Sequence, residues 1–139
     1  MIRFAEVEAA VDYKSEEEVM KIAVSSRGPQ LTSEVDPRFG RASYILIVDS
    51  ETSEIEVLNN SLNANAFKGA GIQAATMVSD KGAKVVMTGY CGPKAFQVLA
   101  AANIKVVNDV SGSVSEAITR FKTGRVDFSA EPNAEAHWS

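Results

Sequence analysis

Residues 36–41, Asp36-Pro37-Arg38-Phe39-Gly40-Arg41, gather two arginines, an aromatic ring and a glycine just before a strand, and Arg27 stands upstream on the same long loop. Guanidinium forks bind anions through planar, charge-assisted hydrogen bonds, so three of them near one sheet end could make an anion host. The same side chains have an internal use. Arg38 and Arg41 could instead pair with Asp36 or Asp49, while Phe39 closes the core.

Further on, Gly69-Ala70-Gly71-Ile72-Gln73-Ala74 has the form G-x-G-x-x-A, with Lys68 directly before it. Small residues there let a ligand approach the backbone N–H groups at the positive end of a helix. A dinucleotide fingerprint would follow the first strand of a parallel unit and lead to an acidic residue about 20 positions on. This stretch follows a hairpin strand instead, and the corresponding region reads Tyr90-Cys91-Gly92. What survives is a helix end that favours some anion.

Thr88-Gly89-Tyr90-Cys91-Gly92-Pro93-Lys94-Ala95-Phe96 runs from a buried strand through a glycine-rich turn into a helix. Ligands of open α/β sheets bind beyond the carboxyl ends of strands, where this turn falls. Cys91 could touch a metal or cluster, its thiolate favoured by the helix N-terminus and Lys94, or it could be a small buried hydrophobe. No histidine accompanies it, so a Cys-His nucleophile pair lacks its base.

His137 is the sole histidine and falls in an expected loose tail, so it reads as solvated. Asp49, Asp80, Asp109 and Asp127 are spread over a strand end, a helix end and loops. A two-ion nuclease needs clustered carboxylates, and the first strand, Lys21 to Ser26, carries none. One cysteine, one peripheral histidine and scattered methionines cannot surround a bare transition metal with four protein donors. Any metal should therefore arrive with its own ligands, as a negatively charged unit held by arginines, lysines and helix N-terminal amides.

These residues need a scaffold, and the hydrophobic periods supply one. Ile22 to Val24 is a short β-branched run. Ala42 to Asp49 and Glu54 to Asn59 flank a turn and should form an antiparallel hairpin. From Ala70 the spacing is helical up to Lys81-Gly82. Lys84 to Thr88 is a buried strand, Lys94 to Ala102 a helix opened by Pro93, and Ile104 to Val107 a strand. Ser113-Val114-Ser115-Glu116 has the form of a capping box before a third helix that ends near Gly124. An antiparallel meander followed by alternating helices and strands predicts a five-stranded mixed sheet of order 3-2-1-4-5 with helices on both faces, the three-layer α/β arrangement of the ribonuclease H-like fold.

The 139 residues suit one domain, with 45% hydrophobic and 23% charged residues. The domain spans 20–128. Residues 1–19, with the acidic run Glu16-Glu17-Glu18, read as an extension, non-native or disordered, before a natural start at Met20, and 129–139 as a flexible tail. A net charge of -4 without a basic block argues against nucleic acid, and no apolar run reaches the roughly 20 residues that span a bilayer. A single cysteine and no secretory signal leave the cytoplasm as the expected location.

The three motifs, in this order and spacing, resemble those of the dinitrogenase iron-molybdenum cofactor biosynthesis family over Met20 to about Phe128. The resemblance implies a ribonuclease H-like fold. It also implies carriage of the iron-molybdenum cofactor or its precursor or, in the orange-protein branch, noncovalent binding of a molybdenum-copper sulfide cluster. The single-domain layout is similar to that branch, and the lack of a histidine near the motifs fits noncovalent holding. On this reading Arg27, Arg38, Phe39, Arg41, Lys68, Gly69, Gly71, Gly89, Cys91 and Lys94 line the cluster and Cys91 alone could ligate metal. No reaction is catalysed, and partners are the cluster and proteins of a cluster-assembly or cell-regulation complex, the chain itself being a monomer or weak dimer. Two other classes compete: a regulatory or scaffold module that binds no metal, and a small-molecule or nucleotide binder using the Gly69 turn.

Overall fold

Alternating apolar side chains sort the strands onto two faces of one sheet. The computed structural model describes residues 20–133. Its strands are Lys21–Ser26 (β1), Tyr44–Asp49 (β2), Ile55–Asn59 (β3), Val85–Met87 (β4) and Lys105–Val107 (β5). Its helices are Ser61–Ala64 (α1), Ala70–Asp80 (α2), Pro93–Ala101 (α3) and Val114–Lys122 (α4). The sheet runs β3-β2-β1-β4-β5, antiparallel across the first two pairings and parallel across the last two, as the meander and crossovers require.

Ala23, Ile45, Ile47, Val86 and Val106 point to one face, where Ala74 and Val78 of α2 and Ala95 and Leu99 of α3 cover them. Ile22, Val24, Leu46, Val85 and Val107 point to the other, under Val114, Ala117 and Ile118 of α4. Because β1, β4 and β5 are parallel, α2, α3 and α4 all begin near the sheet end where those strands finish. That end also carries the long 27–43 loop.

Most element boundaries follow local rules. Gly82 takes a left-handed φ of 82° just past α2, and Ser113 and Glu116 form the reciprocal capping box at α4. The single turn α1 has no counterpart in the sequence reading, because four residues show no periodicity. The strand expected from Ala42 starts at Tyr44, since the carbonyls of Gly40 and Ala42 face Asn60 instead.

Asn60 is fully buried. Its Nδ2 donates to Gly40 O at 3.1 Å and Ala42 O at 2.8 Å, while its Oδ1 accepts from Asn63 Nδ2 at 2.8 Å. Asn60→Ala would leave two buried carbonyls without their donor, a loss of about 2 kcal/mol. Denaturant melts should show that loss, with faster amide exchange confined to residues 36–42.

The extension 1–19 and His137 lie outside the described residues. Residues 129–133, expected to begin a loose tail, are hydrogen-bonded: Ser129 N–H donates to Val106 O at 2.7 Å, and Asn133 N–H to Cys91 O at 3.2 Å. Among the described residues, no helix is long and apolar enough to cross a membrane.

Candidate functional site

The loop after β1 divides the labour between the two faces. Its first half turns toward α4: Arg27 N–H donates to Glu34 O at 2.9 Å, Glu34 bridges to Ser113, and Val114 N–H donates to Ser33 O at 2.9 Å. Its second half, 36–41, crosses to the ends of α2 and α3. The backbone of Arg27 is therefore tied to the half of the loop that meets α4, apart from the half that carries Arg38 and Arg41, while its side chain is exposed.

The second half touches both other motifs through backbone. A Cβ on Gly40 would lie 2.6 Å from the Cα and N of Gly71. A Cβ on Gly89 would lie 2.7 Å from Pro37 Cα and 2.8 Å from Pro37 O. Phe39 N–H donates to Tyr90 O at 3.2 Å, and Arg38 and Tyr90 form a parallel bridge. Beneath, Ser25 Oγ donates to Asp36 O at 2.7 Å and lies 2.7 Å from Thr88 Oγ1. Ser25 has spent its one proton, so Thr88 is the donor of that pair.

This packing corrects part of the expected lining. The absent side chains of Gly40 and Gly89 make room for neighbouring backbone, that of Gly71 and Ala70 in one case and Pro37 in the other, rather than for a ligand. Gly69 keeps a local role, with a left-handed φ of 82° as the N-cap of α2. Phe39 is 2% exposed and sits in the core with α2 and α3, which removes it as a contact.

Cys91 is also core, 1% exposed, and burial pushes its thiol up to about 12. Desolvation outweighs the helix end that was expected to favour the thiolate. At pH 8 this residue should resist iodoacetamide in the native protein and react quickly in denaturant. Because its folded value lies above the ordinary one near 9, its contribution to stability is intact below that pH and should decline as pH rises toward about 12.

The cationic groups have distinct settings. Arg41 Nη1 donates to Ala64 O at 2.9 Å and Ala66 O at 2.7 Å, tying down the segment that leads to Lys68. Arg38 has a side chain 46% exposed, its Nε 3.6 Å from Oδ1 of the buried Asp36, which also accepts Arg38 N–H at 2.9 Å. The internal pairing with Asp36 is thus present, while Asp49 serves its own turn. Its Oδ1 accepts from Thr52 and Glu51 N–H, bonds that hold its carboxyl below the usual range. Lys68 and Lys94 are exposed beside the first turns of α2 and α3.

Those first turns differ from that of α4. Glu116 N–H at α4 is satisfied by Ser113, whereas neither Gly69 at α2 nor Gly92 at α3 supplies a side-chain cap. Helix N-terminal amides carry partial positive charge, so the two ends with glycine N-caps and the nearby Arg38, Arg41, Lys68 and Lys94 favour negative charge. Among the described residues, no group of three His, Cys, Asp or Glu side chains could hold a bare metal ion. Sequence reasoning missed Asn60, whose only signal was an asparagine directly after a strand, and Asn133, whose Oδ1 accepts Cys91 N–H at 2.8 Å.

These features define a class: a mixed α/β binding domain whose three motif loops pack on one another at the carboxyl ends of its parallel strands. The chain belongs to the dinitrogenase iron-molybdenum cofactor family, whose sequence profile matches residues 19–124. It is similar to the apo form of the orange protein from Desulfovibrio gigas, with 45% identity and a TM-score of 0.81 over 84% of this chain and 98% of that one. It is also similar to a protein of Thermotoga provisionally assigned as NifB, with 36% identity and a TM-score of 0.69 over 78% of this chain and 92% of that one. An uncharacterized protein of Methanocaldococcus jannaschii is 30% identical over 112 residues, 78% of this chain and 91% of that one.

Proposed function

We propose that this chain carries a preassembled, anionic metal-sulfur cluster of the molybdenum-copper sulfide type as noncovalent cargo, catalysing no reaction, in cytoplasmic metal-cluster assembly or molybdenum homeostasis. The scaffold is ribonuclease H-like, and the protein works as a monomer or weak dimer. The observation that carries this reading is the contrast among helix N-caps: Ser113 caps α4 with its side chain, whereas α2 and α3, opening among the motif loops beside cationic side chains, have glycines there that supply no side-chain cap. A sulfide-rich anion complements such a surface and asks for no protein thiolate. The similarity to the orange protein supports that cargo over the iron-molybdenum cofactor or its precursor.

Mixing the purified chain with tetrathiomolybdate and copper should give visible charge-transfer absorption, with both metals retained through gel filtration. Colourless protein emerging without metal would count against carriage. A second reading, a protein-interaction module without metal, is favoured by Leu62 and Phe67, which are 91% and 95% exposed. It would be preferred if that mixture stayed colourless.

A further inference from the structure

A second concavity lies on the β5 side of the third motif loop, where Asp109 N–H donates to Gly89 O and Val110 N–H to Thr88 O, each at 3.0 Å. The chain leaves β4 toward α3 on one face of the sheet and leaves β5 toward α4 on the other. Adjacent parallel strands whose exits diverge in this way open a crevice beyond their carboxyl ends, the place where doubly wound sheets bind small ligands. Here the crevice is a cavity of about 490 Å³, within the usual range of ligand pockets.

Its lining is chemically mixed. Met87 and Val107, the last residues of β4 and β5, lie beside Val110 and Phe128 as its apolar part, and Arg120 and Arg125 bring two guanidinium groups. Arg120 Nη2 already donates to Ser111 O at 2.7 Å, whereas Arg125 has no ion pair among the described residues. Asp109 and Asp127 add carboxylate acceptors.

Asn108 supplies the sharpest signal. Its Nδ2 donates to Ser129 Oγ at 3.0 Å, while its Oδ1 is buried without a partner among the described residues. Turning the amide over would pair the oxygen with the hydroxyl and strand the nitrogen instead, so one buried polar atom stays unmet either way. Such an atom is costly, and a shift of the Asn108 side chain toward the cavity it lines would let a ligand supply its partner.

We infer that the cavity between the exits of β4 and β5 binds a small organic anion of the nucleoside monophosphate class. The phosphate suits the arginines, the sugar hydroxyls and base amino groups suit the carboxylates and Asn108, and the flat ring suits Phe128. This site adjoins the Gly89 turn through the Asp109 N–H bond to Gly89 O, but its arginines, Arg120 and Arg125, are not those of the cluster surface.

The test is a titration of the full ¹⁵N-labelled chain with adenosine monophosphate, followed by amide chemical shifts. Saturating changes are expected at 107–111 and 120–129, absent with inorganic phosphate and weakened about tenfold in Arg125→Ala, whose spectrum should otherwise stay folded. Arg38→Ala, on the other surface, should bind the nucleotide unchanged and so separates this site from the cluster reading. No saturating change up to about 10 mM, the same changes with phosphate alone, or changes centred on 69–71 and 89–92 would overturn the inference.

Discussion

Arg38→Ala is expected to weaken retention of the molybdenum-copper sulfide cargo by about 10- to 100-fold, the worth of one charge-assisted contact to a bound anion. Its fold should survive. The pair with Asp36 is half-exposed and contributes about 0–1 kcal/mol, and the Asp36 carboxylate keeps its bond from the backbone N–H of residue 38. Arg38→Lys should recover part of the loss, since charge returns but the planar fork does not. Equilibrium dialysis with metal analysis of both variants checks this. Arg41→Ala is a poorer probe, because it also frees the carbonyls of Ala64 and Ala66. Equal retention in wild type, Arg38→Ala and Arg38→Lys would move the cargo off this surface.

Gly40→Ala and Gly89→Ala should each cost about 3 kcal/mol, lowering the melting temperature by about 10 °C, because the new methyl meets backbone that cannot step aside. The clashes are with Gly71 and Ala70 in one case and Pro37 in the other. Gly82→Ala is the control that separates space from conformation. Nothing lies within 4 Å of its Cβ position, but its φ of 82° is strained for alanine, so about 1 kcal/mol is expected. Thermal melts of the three variants give the ranking. If Gly40→Ala and Gly89→Ala melted no lower than Gly82→Ala, the close packing of the motif loops would be wrong.

The strand order was legible because Ile22 to Val24, Tyr44 to Asp49 and Val85 to Met87 advertise burial by local pattern, and Ser113 with Glu116 marks a helix start within four residues. Adjacency of the motifs was legible only as a resemblance. Its cause, Gly40 on Gly71 and Gly89 on Pro37, is backbone contact between distant positions, which no local period encodes. Phe39 and Cys91 each had a core reading and a ligand reading. Burial chose the core, and that information belongs to the assembled sheet. Arg27 and Arg38 share one loop in sequence, yet Ser33 binds the start of α4 while Asp36 binds β1, so the loop parts between them. Asn60 holds the Gly40 and Ala42 carbonyls from a position that looks like any polar residue after a strand.

X-ray absorption at the molybdenum edge of the loaded chain tests the central claim most directly. A cargo that arrives complete requires molybdenum surrounded by inorganic sulfur, with copper as its next neighbour and no nitrogen or oxygen from the protein. A lone metal ion whose nearest shell is made of this chain's own side chains would contradict it.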